Sequence, residues 1–193
     1  VKNCRGMFWN CKSFNQPVTI PNNIKSCAYM FVSCKSFNQP IIIPDGVTNC
    51  RGMFSSCESF NQPIIIPDGV KECDSMFWNC KSFNQPIIIP DGVKECDAMF
   101  WNCKSFNQPI IIPDGVTNCQ NMFKGCTAFN YPLIIPNSVV KGEGVLGYLF
   151  NGNLITVDLN KLYFFIKKVT IKNKLFGKLT INANILYKYN DLK

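Results

Sequence analysis

Along residues 4–141 the apolar positions do not follow a helical or strand period but return every 23 residues. Cys4, Cys27, Cys50, Cys73, Cys96 and Cys119 are each one period apart, and so are Cys11, Cys34, Cys57, Cys80, Cys103 and Cys126. The unit reads C-x-x-M-F-x-x-C-x-x-F-N-Q-P-I-I-I-P-D-G-V-x-x and is repeated six times. Self-similarity at a fixed period of this size marks a solenoid, in which each unit buries its apolar face only against its neighbours.

Within one unit, Pro63-Ile64-Ile65-Ile66-Pro67 reads as a short strand. Isoleucine favours extended backbone, and the flanking prolines stop both a helix and a longer ladder. Asp68-Gly69 is a turn signal. The segment from Cys50 to Cys57 is too short and too rich in Gly and Ser for a stable helix, and reads as a turn or a short 3₁₀ piece on the return side. The pattern therefore predicts a mostly β solenoid, stacked at roughly the 4.8 Å of strand separation. Side chains alternate along an extended segment, so Ile41 and Ile43 face the core with Met30, Phe31, Cys34, Phe37 and Val47, while Ile42 faces out. The Val-Thr-Ile order of the first coil, with Thr19 in the middle, sets this phase.

These residues resemble a known family. The Phe-x5-Ile-Pro-Asp-Gly-Val pattern, followed by a Phe-x-x-Cys turn, is similar to the BspA-like leucine-rich repeat of bacterial and protozoan surface proteins. The stretch Val47-Thr48-Asn49-Cys50-Arg51-Gly52-Met53-Phe54, continuing to Phe60-Asn61-Gln62, also resembles the repeat of mycoplasma and Listeria surface lipoproteins. The resemblance implies a leucine-rich repeat array at a cell surface or secreted, with adhesion and protein binding as its role. The chain departs from it in a second cysteine per coil, a Trp in the turn, and an unrelated C-terminal segment.

After Lys141 the pattern decays. Gly142, Val145, Leu146 and Leu149 stand at the first-Cys, Met-Phe and second-Cys positions, as in a truncated seventh coil. The alternation in 154–193, such as Lys168-Val169-Thr170-Ile171-Lys172, predicts a β-rich cap over the last coil. Residues 1–141 are thus read as the solenoid, with its repeats in 4–141, and 142–193 as its closing segment. Charge divides the same way: of the net +8 of the 193 residues, 1–140 carry 11 basic and 9 acidic side chains, and 141–193 carry 9 and 3. A basic cap is a solvated surface before it is a nucleic-acid site, since arginine is absent there and no nucleic-acid motif accompanies the lysines. The longest apolar run, Leu162 to Ile166, is far too short to span a bilayer.

The chain holds no histidine, which removes Ser-His-Asp and Cys-His nucleophile pairs and His-liganded zinc. No phosphate loop, G-x-S-x-G turn or distinctive carboxylate pair is present, so no catalytic, cofactor or metal residues are expected and the chain reads as no enzyme. The twelve cysteines fill positions that are inward in the resembling repeats and read first as buried free thiols, while disulfides along or within coils remain geometrically open. The spacing lacks the close Cys pair of structural zinc. The Asn-Gln pairs, as at Asn61-Gln62, read as amides bonded along the stack rather than a glycan-reading stripe. The lysines Lys12, Lys35, Lys81 and Lys104 read as a solvated rim. Two sets of residues are candidates for partner contact. Ile42, Ile65, Ile88, Ile111 and Ile134 would form an outward apolar stripe, unless they serve sheet propensity alone. Trp9, Trp78 and Trp101 are either contact residues or packed on the adjacent coil. The partner would be a protein or a copy of the chain, less readily a glycan. The alternative to a binding module is a structural component, such as an appendage or a virion fibre, favoured by coils that hardly vary.

Overall fold

The computed structural model of the chain describes residues 3–131, 133–136 and 138–142; the seventh coil beyond Gly142 and the cap of 154–193 lie outside the described residues. One repeat makes one coil of a solenoid. Parallel bridges link Asn3 to Ser26, Ser26 to Asn49, Asn49 to Glu72, Glu72 to Glu95, Glu95 to Asn118 and Asn118 to Lys141, each step one repeat long.

The return segment is what binds coil to coil. From Cys27 to Cys34 the backbone runs through consecutive turns, with Met30, Val32 and Cys34 each donating to the carbonyl three residues back. The intervening residues donate to the next coil: Cys27 to Asn49, Tyr29 to Arg51, Phe31 to Met53 and Ser33 to Ser55, at 2.8–2.9 Å. No regular helix or strand has this alternation. It arises because the third and seventh residues of each repeat adopt left-handed backbone, which re-aims alternate N–H groups along the solenoid axis. The third positions include Gly6, Tyr29, Gly52, Ser75, Ala98 and Asn121, and the seventh Asn10, Ser33, Ser56, Asn79, Asn102 and Gly125. Asn and Gly take this conformation most readily, whereas Tyr, Ser and Ala hold it at a cost of about 1–2 kcal/mol each that the bonded stack offsets. At Gly52 the need is also steric: a Cβ there would lie 2.7 Å from the Tyr29 ring.

The expected strand is absent. Ile64, Ile65 and Ile66 make no backbone hydrogen bond to a neighbouring coil, and the described residues hold isolated bridges and no extended strand. The mostly β reading is therefore corrected to a turn-rich solenoid. Prolines at both ends of the isoleucine run recur in the adjacent coils, so a ladder would have few donors to close it. The extended segment keeps its side-chain alternation nonetheless. Ile41 and Ile43 are buried and Ile42 stands in solvent, and the same holds in the coils that follow.

The core is organised by phenylalanine. Two rings per coil pack face to face at 4.2–4.7 Å, Phe54 on Phe60 for example. Each also stacks on its counterpart one repeat away, at 5.3–5.8 Å in the row of Phe31. The row of Phe37 is wider, at 5.8–6.1 Å. Both spacings exceed the strand separation assumed from sequence, consistent with coils held by turns and rings rather than by a ladder. Met53, Val70 and the cysteines other than Cys11 complete the buried interior.

The bend after the second phenylalanine is closed by amides. Asn38 Oδ1 accepts from the Asn61 backbone N–H at 2.9 Å and from Gln62 Nε2 at 3.2 Å, and Asn61 Oδ1 repeats this toward Asn84 and Gln85. The amide pairs are structural, as their stacking requires.

Phe83 lies fully buried between Phe77, Phe60, Phe100 and Phe106. Phe83→Ala should cost about 3–5 kcal/mol of unfolding free energy, through lost transfer energy and a cavity in both stacks. Urea titration followed by circular dichroism measures it, and a loss below about 1 kcal/mol would contradict the ring stack as the core.

Candidate interaction surface

The outward isoleucines are brought into one row. Ile42, Ile65, Ile88 and Ile111 are 84–86% exposed, and Ile134 continues the row at 57%. Ile42, Ile65, Ile88 and Ile111 each follow an exposed proline by two residues, in Pro40, Pro63, Pro86 and Pro109, so the row widens there into an apolar band. Asp45, Asp68, Asp91 and Asp114 edge it, all exposed, and none forms an ion pair among the described residues. Lys25, Lys71 and Lys94, also exposed, lie three residues beyond the aspartate positions.

The tryptophans do not form one stripe. Trp78 and Trp101 meet edge to face with ring centroids 6.5 Å apart, and Lys124 Nζ sits 4.4 Å over the Trp101 ring. Trp78 is 37% exposed while Trp101 is half-buried. Trp9, in the first coil, packs 6.0 Å from Tyr29, whose other neighbour is Arg5, 5.2 Å from its centroid. Val32 and Ser55 interrupt the row between them. Tyr29 went unnoticed in the sequence because it occupies a position that holds Gly in the next coil, and only the left-handed backbone shows that a ring fits there.

Charged neighbours are tied to the coil period. Glu58 stands where other coils carry lysine, and both flanking lysines bind it, Lys35 at 2.9 Å and Lys81 at 2.6 Å. Those hydrogen bonds, that of Lys81 first, hold the Glu58 carboxyl below its usual range. The lysine row is thus partly an ion-pair row rather than a solvated rim alone; the Glu at this period was the legible sign. Asp74 is buried and bound by Arg51 Nε at 2.6 Å. Burial pushes its carboxyl up against the pull of Arg51.

All twelve cysteines are free in the structure, and all but Cys11 are buried. The second cysteine of a coil donates its thiol to the phenylalanine carbonyl one coil back: Cys34 to Phe8, Cys57 to Phe31, Cys80 to Phe54, Cys103 to Phe77 and Cys126 to Phe100, at 2.8–3.0 Å. Burial raises these thiols out of the reactive range: Cys34 rises to about 11, and Cys27, Cys119 and Cys126 to about 12. Among the described residues no three acidic or thiol side chains converge as a metal site.

The geometry is that of a leucine-rich repeat solenoid, and solved structures agree. A leucine-rich repeat protein from Bacteroides ovatus superposes with a TM-score of 0.59 at 26% identity, over 70% of this chain and 35% of its own. A T. pallidum leucine-rich repeat protein gives 0.56 at 19% identity, over 72% of this chain and 67% of its own. The chain thus spans about a third of the first relative's length. No curated protein matches the sequence. The chain belongs to the family described as "Mycoplasma protein of unknown function, DUF285", whose pattern matches residues 1–88, 21–110, 45–135, 68–153 and 89–183. Each match starts about one repeat after the last, as expected of a sequence that is its own translation.

The thiols yield a prediction. Under native conditions a small alkylating reagent should modify Cys11 first, and under denaturing, non-reducing conditions it should modify all twelve. A raised folded-state pKa means that the unfolded chain loses thiol protons first as pH rises, so stability is full below 9.0 and declines toward about 12. Urea midpoints across this range should fall, and fall less steeply in Cys27→Ala; a flat profile, or fewer than twelve modified cysteines, contradicts free buried thiols.

Proposed function

We propose that the chain is a non-enzymatic, protein-binding module of the leucine-rich repeat type, acting at a cell surface or in secretion, with the isoleucine band as its main contact face. The observation that carries this reading is the row of isoleucines held in solvent. A β-branched apolar side chain left exposed once is ordinary; four at about 85% in register form a contiguous apolar patch, the kind that marks an interaction surface. The surroundings suit such a surface, with an apolar centre and a rim of Asp, Lys and amides. Sheet propensity does not account for the isoleucines, because no sheet forms there.

Trp78 and Trp101 supply a second, smaller contact candidate, an aromatic ledge bearing a cation. Among the described residues Glu58 and Asp74 are tied in ion pairs and eleven of the thiols are buried, and this supports binding rather than chemistry. The near identity of successive coils favours a second reading, in which the array is a structural or assembling element.

A cell-binding assay with purified chain separates the contributions. Ile65→Lys with Ile88→Lys should abolish binding with the fold intact by circular dichroism, since both side chains are solvent-exposed. Trp78→Ser with Trp101→Ser should weaken binding several-fold. A chelator should change nothing, and added salt should have a modest effect. Unaltered binding by the isoleucine variant would remove the band from the mechanism.

A further inference from the structure

We propose that the occupant of the isoleucine band is a second copy of this chain, docked face to face about a two-fold axis. The inference rests on reading the band as the contact face and names its partner. Three observations carry it.

The first is period. The isoleucines recur at the coil repeat, which the phenylalanine rows measure at 5.3–6.1 Å. A partner that engages all of them must offer apolar groups at the same repeat over the same length. A second copy does so by construction. The segment Ile-Ile-Ile-Pro-Asp-Gly is unchanged at 41–46, 64–69, 87–92 and 110–115, so nothing distinguishes one contact from the next. An irregular partner surface would favour coils that differ; a symmetric pair needs a patch that matches itself, which coils of one sequence supply.

The second is area. An exposed isoleucine removes on the order of 100 Å² from water when covered. Five from each copy, with the prolines beside them, bring the buried total to on the order of 1,000 Å², where specific interfaces begin. The pair should therefore be reversible and concentration-dependent.

The third is charge. Residues 1–140 carry 11 basic and 9 acidic side chains, so two arrays meet without strong repulsion. The rim carries both signs: exposed Asp45, Asp68, Asp91 and Asp114 without ion pairs among the described residues, and exposed Lys71 and Lys94 three residues after Asp68 and Asp91, with Lys25 three after Asn22. A two-fold axis across the band lays the isoleucine row of one copy on that of the other.

The axis also predicts which residues meet. Ile88 is central and opposes Ile88 of the other copy, Ile65 opposes Ile111, and Ile42 opposes Ile134. Slipping the register by one coil would set an isoleucine against polar Thr19 or beyond the row, so the in-register pair buries the most and closes as a dimer.

Sedimentation equilibrium of the full chain tests this. The expected mass rises with concentration toward twice 21.9 kDa, and Ile65→Lys with Ile88→Lys returns it to the monomer with an unchanged melting curve. On a Cys11→Ser background, Ile88→Cys should form a disulfide-linked dimer under mild oxidation by oxidised glutathione, whereas Ile42→Cys alone should not. A chain that stays monomeric at its solubility limit overturns the proposal. So does a dimer untouched by the isoleucine variant. If the chain is monomeric and that variant still loses cell binding, self-pairing falls while the band remains a contact face for another protein. If it dimerises and cell binding survives the variant, self-pairing stands and the reading of the band as a cell-binding face falls.

Discussion

The structure depends on one constraint: alternate N–H groups of each return segment have their acceptors in the next coil and nowhere else. Cys50, Gly52, Phe54 and Ser56 all donate forward by one repeat, to Glu72, Asp74, Met76 and Trp78. An unbonded N–H at these buried positions would cost about 1–3 kcal/mol. A coil therefore cannot rotate or slip against its neighbour without losing several bonds at once. Register is thereby fixed, and the rings, thiols and amides repeat because the backbone does. The aromatic rows then add the non-directional part of the stability.

That rigidity explains why the outward residues carry the functional reading. In a solenoid of fixed register, any side chain that faces solvent in one coil faces it in the next, so an apolar choice at one position becomes a band. The interior thiols stand in register in the same way and are held protonated by burial. The repeat solenoid agrees with the fold of the Bacteroides ovatus leucine-rich repeat protein and with membership in the mycoplasma family.

The repeat made much of this legible before any coordinates. Period located the buried set of the coils from Cys27 onward, though not Met7 and Cys11 of the first coil, which are exposed, and the Thr at position 19 set the phase of the isoleucines. The strand did not follow from the same signs. Ile favours extended backbone, and it is extended here, but pairing needs donors that the recurrent prolines lack. The return segment reads as turns and forms turns, but its left-handed sites are not legible, because they hold Tyr29, Ser75 and Ala98 as well as glycine. Propensity points away from that conformation at those residues, and the bonded stack imposes it. The tryptophans show the same limit: their positions are periodic, yet which face is covered depends on Val32, Ser55 and Lys124 in adjacent coils.

The thiol contact between Cys57 and Phe31 is duplicated, atom for atom, by Cys80 with Phe54 and Cys103 with Phe77. An interior coil thus has interchangeable neighbours. Where neighbouring units are nearly identical, as 73–95 and 96–118 are, removing or inserting one rejoins surfaces that already fit. Array length is consequently a free variable for this sequence. Recombination between its near-identical segments can lengthen or shorten the exposed band in whole steps, and with it the strength of whatever the band holds, while the fold of every remaining coil stays the same.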